Sequence, residues 1–398
     1  MVDGKPLLVR FFEKRKSADD RETEGGGGGS LPKFVLAGNE LTAHADEMRQ
    51  ELTEIRLVVE SRLKSSNIPA VLTAKLKDDA IAKSHRGDMV SFLCERDDER
   101  VIGVSEDQSL LIRVDSLAQY DAVLRKLHDP ASYPKAISGI SSIHTFEPEV
   151  VPADSAPLRD EQRILKVKLI DYNNYQINQV VADEFRSFVA SVEGTAICKQ
   201  VKYSDRISVY EIAIDSSADW RELKAFPGLL SAEPMPTVDL GDSGFFSGDI
   251  PELPPPEEGI EYPLVGILDT GIASIPALQP WIIGSYSCFP EEYIDRSHGT
   301  FVAGLVCFGD LLNSTQQTGV SGCRLFDAVV FPDENRQKIF EDDLVLNIRD
   351  AVERHRDLVK VWNLSLGTHK ESSLNAFSDF GKALLLLCRR QGPALMAT

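Results

Sequence analysis

Residues 241–259 read GDSGFFSGDIPELPPPEEG, with three consecutive prolines at 254–256. Proline removes a backbone donor and fixes φ, so neither a helix interior nor a central strand can run through this stretch. The chain must therefore fold as separate bodies on its two sides, and the stretch is expected to be an extended interdomain linker. A second break lies at the start. Residues 1–30 are charged and end in five glycines and a serine, a composition that cannot bury a core. With room for about two or three domains in 398 residues, the expected order is a flexible acidic and glycine-rich tail (1–30), an α+β domain (31–160), a second α+β domain (161–240), the proline-rich linker (241–260) and an α/β domain (261–398).

Charge and apolar runs exclude several functions. Acidic side chains outnumber basic ones 62 to 43, giving −19, which opposes a surface built to hold nucleic-acid phosphates or anionic lipid. No apolar run reaches the roughly 18 residues that span a bilayer, and the first residues have no apolar core suited to a secretory signal. The six cysteines are scattered, without CxxC pairs or metal-ligand spacing, which excludes a zinc ribbon and a disulfide scaffold. A cytoplasmic protein with reduced thiols and no nucleic-acid or membrane partner is expected.

Apolar periodicity sets the elements. Met48, Leu52, Ile55, Val59 and Leu63 recur at spacings of three and four, predicting a helix over 41–64. Strands are predicted at 70–76, 89–93, 101–104, 110–114 and 143–146, with a helix at 117–127. Residues 163–240 read strand, helix, strand, strand, helix, strand, the β-α-β-β-α-β pattern of a ferredoxin-like unit. The segment LLIRVDSLAQYDAVLRKL resembles VYEIAIDSSADWRELKAF in pattern, so the preceding region is expected to hold a degenerate repeat of that unit. From residue 261 apolar β-runs alternate with helical periods, predicting a parallel α/β sheet.

Four pieces of that last segment carry chemistry. PLVGILD runs an apolar strand into Asp269, followed at once by Thr270 and the turn residue Gly271. A carboxylate at the C-terminal end of a parallel strand lies where ligands and catalytic groups gather. By itself such an Asp is more often a turn residue. An aspartic peptidase also uses Asp-Thr-Gly, but it needs a second such motif or a dimer, and no second one occurs here. SHGTFVAGLV places His298 at a helix start, with small residues at 299, 303 and 304 for close backbone packing. TGVSGCRLFDAVV leads a loop into a buried strand. VWNLSLG ends a strand at Ser365, Leu366 and Gly367, offering a backbone edge that an extended peptide can join.

In this order the four pieces resemble the subtilisin-like serine peptidases, the subtilase family, whose acid, base and nucleophile run Asp, His, Ser along the chain. The resemblance implies Asp269 as triad acid, His298 as general base, and Ser365, Leu366 and Gly367 as contacts to substrate backbone. Chemically, an imidazole takes the serine proton and a carboxylate fixes the imidazole's tautomer. The family's Gly-Thr-Ser nucleophile motif occurs nowhere here, and neither does its oxyanion asparagine in an Ala-Gly-Asn context. The final QGPALMAT is expected to be the strand leading to that asparagine. Losing one oxyanion donor costs about a hundred- to a thousandfold in rate. The expectation is thus the N-terminal region and first half of a serine endopeptidase, inactive as this chain alone and more consistent with a truncated product than with a complete enzyme. The alternative is a non-catalytic pseudo-peptidase that binds or regulates.

The resemblance further implies that the unit at 161–240 is propeptide-like, a folding aid and inhibitor whose tail, drawn from 241–259, lies in the cleft. An interaction module unrelated to folding weighs equally. A peptide or protein substrate and an ATPase partner are allowed by the resemblance. No cofactor is expected, although calcium, with ligands unknown, is common in the family.

Overall fold

The computed structural model describes residues 31–398 except 82, 96–97, 106–108, 216–217, 241–253, 313–321, 366, 369–376, 392–393 and 398. Most of the 241–259 stretch and the Thr318–Ser321 part of the third motif therefore lie outside the described residues. Two compact units emerge. The first is Met1–Glu147 with Ile170–Asp183, and the second is Pro148–Leu169 with Glu184–Thr398.

The first unit opens with α1 (Gly38–Ser65), which buries Leu41, Ala45, Met48, Leu52 and Val59 along one face. There follow β1 (Ala70–Leu76), α2 (Lys83–Cys94), β2 (Val101–Val104), β3 (Leu110–Val114), α3 (Leu117–Lys126), α4 (Pro134–Gly139) and β4 (Ile140–Thr145). The strands form an antiparallel sheet in the order β2-β3-β1-β4. Residues 89–93, expected as a strand, lie inside α2. The reason is visible in burial: Met89, Phe92 and Leu93 are buried at i, i+3 and i+4, the spacing of one helix face.

The second unit contains β5 (Glu149–Val150), β6 (Leu158–Arg159), β7 (Gln162–Leu169), the C-terminal half of α5 (Tyr175–Ser191), β8 (Thr195–Lys202), β9 (Ser208–Ile214), β10 (Leu229–Pro234) and β11 (Val238–Asp239). Its sheet runs β5-β10-β7-β9-β8 and is antiparallel except for the parallel β5–β10 pair. With β5 left aside and counting from β7, this sheet has the order second, third, first, fourth, as the sheet of the first unit does. The second helix expected within 163–240 is only a 3-10 turn, Trp220–Ala225, started by the Asp219 carboxylate, which accepts from Arg221 N–H at 3.0 Å.

The rest of this unit is β12 (Leu264–Asp269), β13 (Ile282–Ser287), α6 (Ser297–Leu312), β14 (Arg324–Val329), α7 (Glu341–His355), β15 (Val361–Leu364), β16 (Gly367–Thr368), α8 (Asp379–Gln391) and β17 (Ala394–Ala397). Five strands form an all-parallel sheet, β13-β14-β12-β15-β17. Side chains alternate along each strand. Val265, Ile267 and Leu325 face α6 and pack with Val302, Ala303 and Phe308. Leu268, Phe326 and Trp362 face the other way, toward Leu344, Ile348 and Val352 of α7 and Leu384 and Leu387 of α8. Gly266 is required at the sheet centre, because a Cβ there would lie 2.2 Å from the Trp362 ring.

The antiparallel sheet covers the far side of α7 and α8. Ile164, Val201, Tyr203 and Val209 join the core those helices bury. Between the apolar contacts runs a buried ion network. Lys166 (1% exposed) is 2.6 Å from Glu341 and 3.3 Å from Asp379, while Lys168 is 2.7 Å from Asp379. Lys199 stands among Glu211, Asp342 and Asp343, at 3.2 Å and 3.1 Å from the first two. Arg159 joins Glu211 and Asp343 at 2.5 and 2.8 Å. Burial alone would lower the Lys166 ammonium, but Glu341 and Asp379 outweigh it and raise it. Burial pushes Asp342 up to about 7 against the pull of Lys199.

Candidate active site

The site begins at the C-terminal end of β12. This is the central strand, with β14 and β13 on one side and β15 and β17 on the other, so the end of β12 is the switch point of the sheet. Asp269 is its last residue and is fully buried. Its backbone carbonyl accepts from Val330 N–H at 2.9 Å, and its Oδ1 accepts from Thr270 N–H at 2.7 Å. The carboxylate is thus fixed before any partner arrives.

The turn after β12 sets the place of α6. Gly271 has φ +104°, a left-handed conformation that a side chain would strain. Gly299 lies directly against it: a Cβ on Gly299 would sit 2.3 Å from the Gly271 carbonyl oxygen. Two hydroxyls tie the same contact. Thr270 Oγ1 accepts from Gly299 N–H at 3.0 Å, and Thr300 Oγ1 accepts from Ala273 N–H at 2.7 Å. The start of α6 is held by Asp295, whose Oδ1 accepts from Ser297 N–H at 3.0 Å.

This packing delivers His298 to Asp269. His298 Nδ1 lies 2.8 Å from Asp269 Oδ1. An ionised carboxylate only accepts, so Nδ1 carries the proton. Nε2 has no hydrogen-bond partner among the described residues and is the nitrogen left to take a proton. The hydrogen bond to Asp269 raises the imidazole above its ordinary value, burial opposes this, and the Asp269 charge adds to the rise. An oriented, electron-rich imidazole of this kind can act as a general base toward a hydroxyl.

Residues 261–387 match the model of the Subtilase family. The match covers about a third of the chain and makes this stretch a subtilisin-like serine peptidase region, with which the parallel sheet agrees. A search of the curated proteins finds no match to the chain.

Within the subtilase region the other anticipated site residues follow β15 and lead into the short strand β16. Ser365 Oγ donates to Asn363 Oδ1 at 2.9 Å, Leu366 is outside the described residues, and Gly367 opens β16. The backbone edge expected to be free is occupied by the chain itself. β11 pairs antiparallel with β16, Val238 opposite Thr368 and Asp239 opposite Gly367. Leu240 follows directly. Its N–H donates to Glu334 Oε1 at 2.7 Å, and it lines a cavity of about 140 Å³ together with Thr270, Asp295, Ser297 and His298. The segment at the site edge is therefore 238–240, just ahead of the 241–259 stretch expected to supply a tail. Proline 254, inside that stretch, is held elsewhere: its carbonyl accepts from Trp281 Nε1 at 3.2 Å.

Two acidic residues of the site were not singled out by sequence reasoning. Glu334 receives the Leu240 amide. Asp327, on β14, is buried on the α6 face of the sheet, and the backbone of Ile272, in the turn after Asp269, partly offsets the cost of its charge. Burial pushes Asp327 up to about 6, with Arg296 opposing and Asp269 adding to the rise. Its only sequence signal is an acid inside an otherwise apolar strand, RLFDAV.

Proposed function

We propose that the subtilase region serves serine-type endopeptidase chemistry, with Asp269 orienting the imidazole and His298 acting as general base toward a nucleophilic serine. The observation that carries this reading is the 2.8 Å contact between a fully buried carboxylate at the central strand's end and His298 Nδ1. In this reading Ser365, Leu366 and Gly367 contact the backbone of an extended peptide or protein substrate, which takes the place of β11 opposite Gly367. No Gly-Thr-Ser occurs in the 398 residues, so the chain alone is inactive in this account. It acts in the cytoplasm.

The antiparallel unit at 161–240 is proposed as ferredoxin-like and propeptide-like. Its order β10-β7-β9-β8 is that of a split β-α-β fold, and its exit strand β11 lies on the edge where substrate would pair. A purified preparation of this chain should leave a fluorogenic protein substrate intact. Hydrolysis that disappears in His298→Ala would overturn the inactivity claim. The occupied β16 edge favours a second reading, a non-catalytic binding protein on the same scaffold. The two part on the reading frame downstream of Thr398. Ala-Gly-Asn followed by Gly-Thr-Ser supports the peptidase, and a stop codon without them supports the binding protein.

A further inference from the structure

Two of the cysteines meet beneath the site helix. Cys307 lies on α6 nine residues after His298, and Cys323 immediately precedes β14. Both are buried, at 3% and 5% exposure, in the core between α6 and the parallel sheet. Cys307 S–H donates to the Cys323 carbonyl at 3.5 Å, and Cys323 S–H donates to the Val306 carbonyl at 3.8 Å.

Both cysteines sit on backbone that is already pinned. Arg324 N–H donates to the Pro263 carbonyl at 2.8 Å and fixes the start of β14, while Gly299 against Gly271 fixes the start of α6. A disulfide needs its two residues close together, and each thiol already reaches the backbone of the other's segment.

We propose that Cys307 and Cys323 are a dithiol modification site, oxidised by a small hydroperoxide to a disulfide that staples α6 to the start of β14. The Cys307 thiolate attacks the peroxide. An S–O bond forms, the O–O bond breaks, and the alcohol or water leaves with a proton, giving a sulfenic acid. The Cys323 sulfur then attacks the Cys307 sulfur. The S–S bond forms, the S–O bond breaks, and water leaves. Two thiols are oxidised and one hydroperoxide is reduced. Cys307 takes the first step because the Cys323 thiol beside it favours its thiolate and lowers it, although burial opposes this. Burial also bars a bulky thiol, so an internal disulfide forms rather than a mixed disulfide with glutathione.

The link closes residues 308–322 into a covalent loop and couples the helix that carries His298 to the strand that carries Asp327. It does not depend on the peptidase reading. The test is a non-reducing peptide map of the full chain after native treatment with hydrogen peroxide, denaturation and alkylation. The expected result is a peptide pair joined through Cys307 and Cys323, lighter by two hydrogens and separated by dithiothreitol, with Cys307→Ser and Cys323→Ser each abolishing it. The exposed Cys198 serves as an internal control for oxidant. The proposal is overturned if both thiols stay alkylatable once Cys198 is oxidised. It is equally overturned if Cys307 ends as a sulfinic acid without a link, or if either cysteine pairs elsewhere. The wild-type map decides this even if a serine variant fails to fold.

Discussion

At the scale of single residues the site depends on what is absent as much as on what is present. Gly299 has no room for a methyl group, so Gly299→Ala must push α6 away from the Gly271 backbone. Overpacking of this kind costs about 1–3 kcal/mol. Urea denaturation should show that loss, and the low-field Nδ1 proton resonance of His298 should weaken with it. Asp327 carries a different cost. Its folded value, about 6, lies above the ordinary carboxylate value of roughly 3.9, so the native state holds a proton that the unfolded state releases. The contribution is fully favourable below that ordinary value and is lost as pH rises through about 6. Asp327→Asn keeps the side chain's size and polarity and removes the titration. It should stabilise the protein by roughly 1–3 kcal/mol at pH near 7.5 and by little near pH 4. Equal effects at both pH values would contradict the assignment.

At the scale of elements the central prediction concerns the junction between the antiparallel sheet and α7. Lys166 and Glu341 are both buried and 2.6 Å apart. Removing one partner strands the other charge, so Lys166→Ala should cost about 3–5 kcal/mol. Replacing the pair together, Lys166→Met with Glu341→Gln, should recover most of it in a double-mutant cycle read by denaturant unfolding. No sequence pattern announces this pair, because its members are 175 positions apart and each looks like an ordinary surface charge. The same distance hides β11–β16, a two-residue pairing between segments about 130 residues apart. What was legible was local. The apolar run into Asp269 and the small residues at 299, 303 and 304 announce β12 and the tight packing of α6, because strand burial and close backbone approach leave marks in the residues themselves. Residues 89–93 were misread for the converse reason: five residues with four apolar side chains fit either period.

At the scale of the molecule the second unit joins two sheets of different kinds. The parallel sheet carries the acid and, through α6, the base. The antiparallel sheet covers α7 and α8 and sends β11 and Leu240 to the same edge of the site. Among the described residues no helix is long and apolar enough to cross a membrane. The account rests on Asp269 holding His298 as an oriented base, and this links to stability with a definite sign. Because His298 is raised in the folded state, its contribution is fully present below the ordinary histidine value of about 6.5 and fades as pH rises through the folded value. The most direct measurement is a nuclear magnetic resonance titration of the His298 ring in the full chain and in Asp269→Asn. The account predicts a midpoint above the ordinary histidine value that falls when the carboxylate is removed. A His298 midpoint at or below that value, or one that Asp269→Asn leaves unchanged, would contradict it.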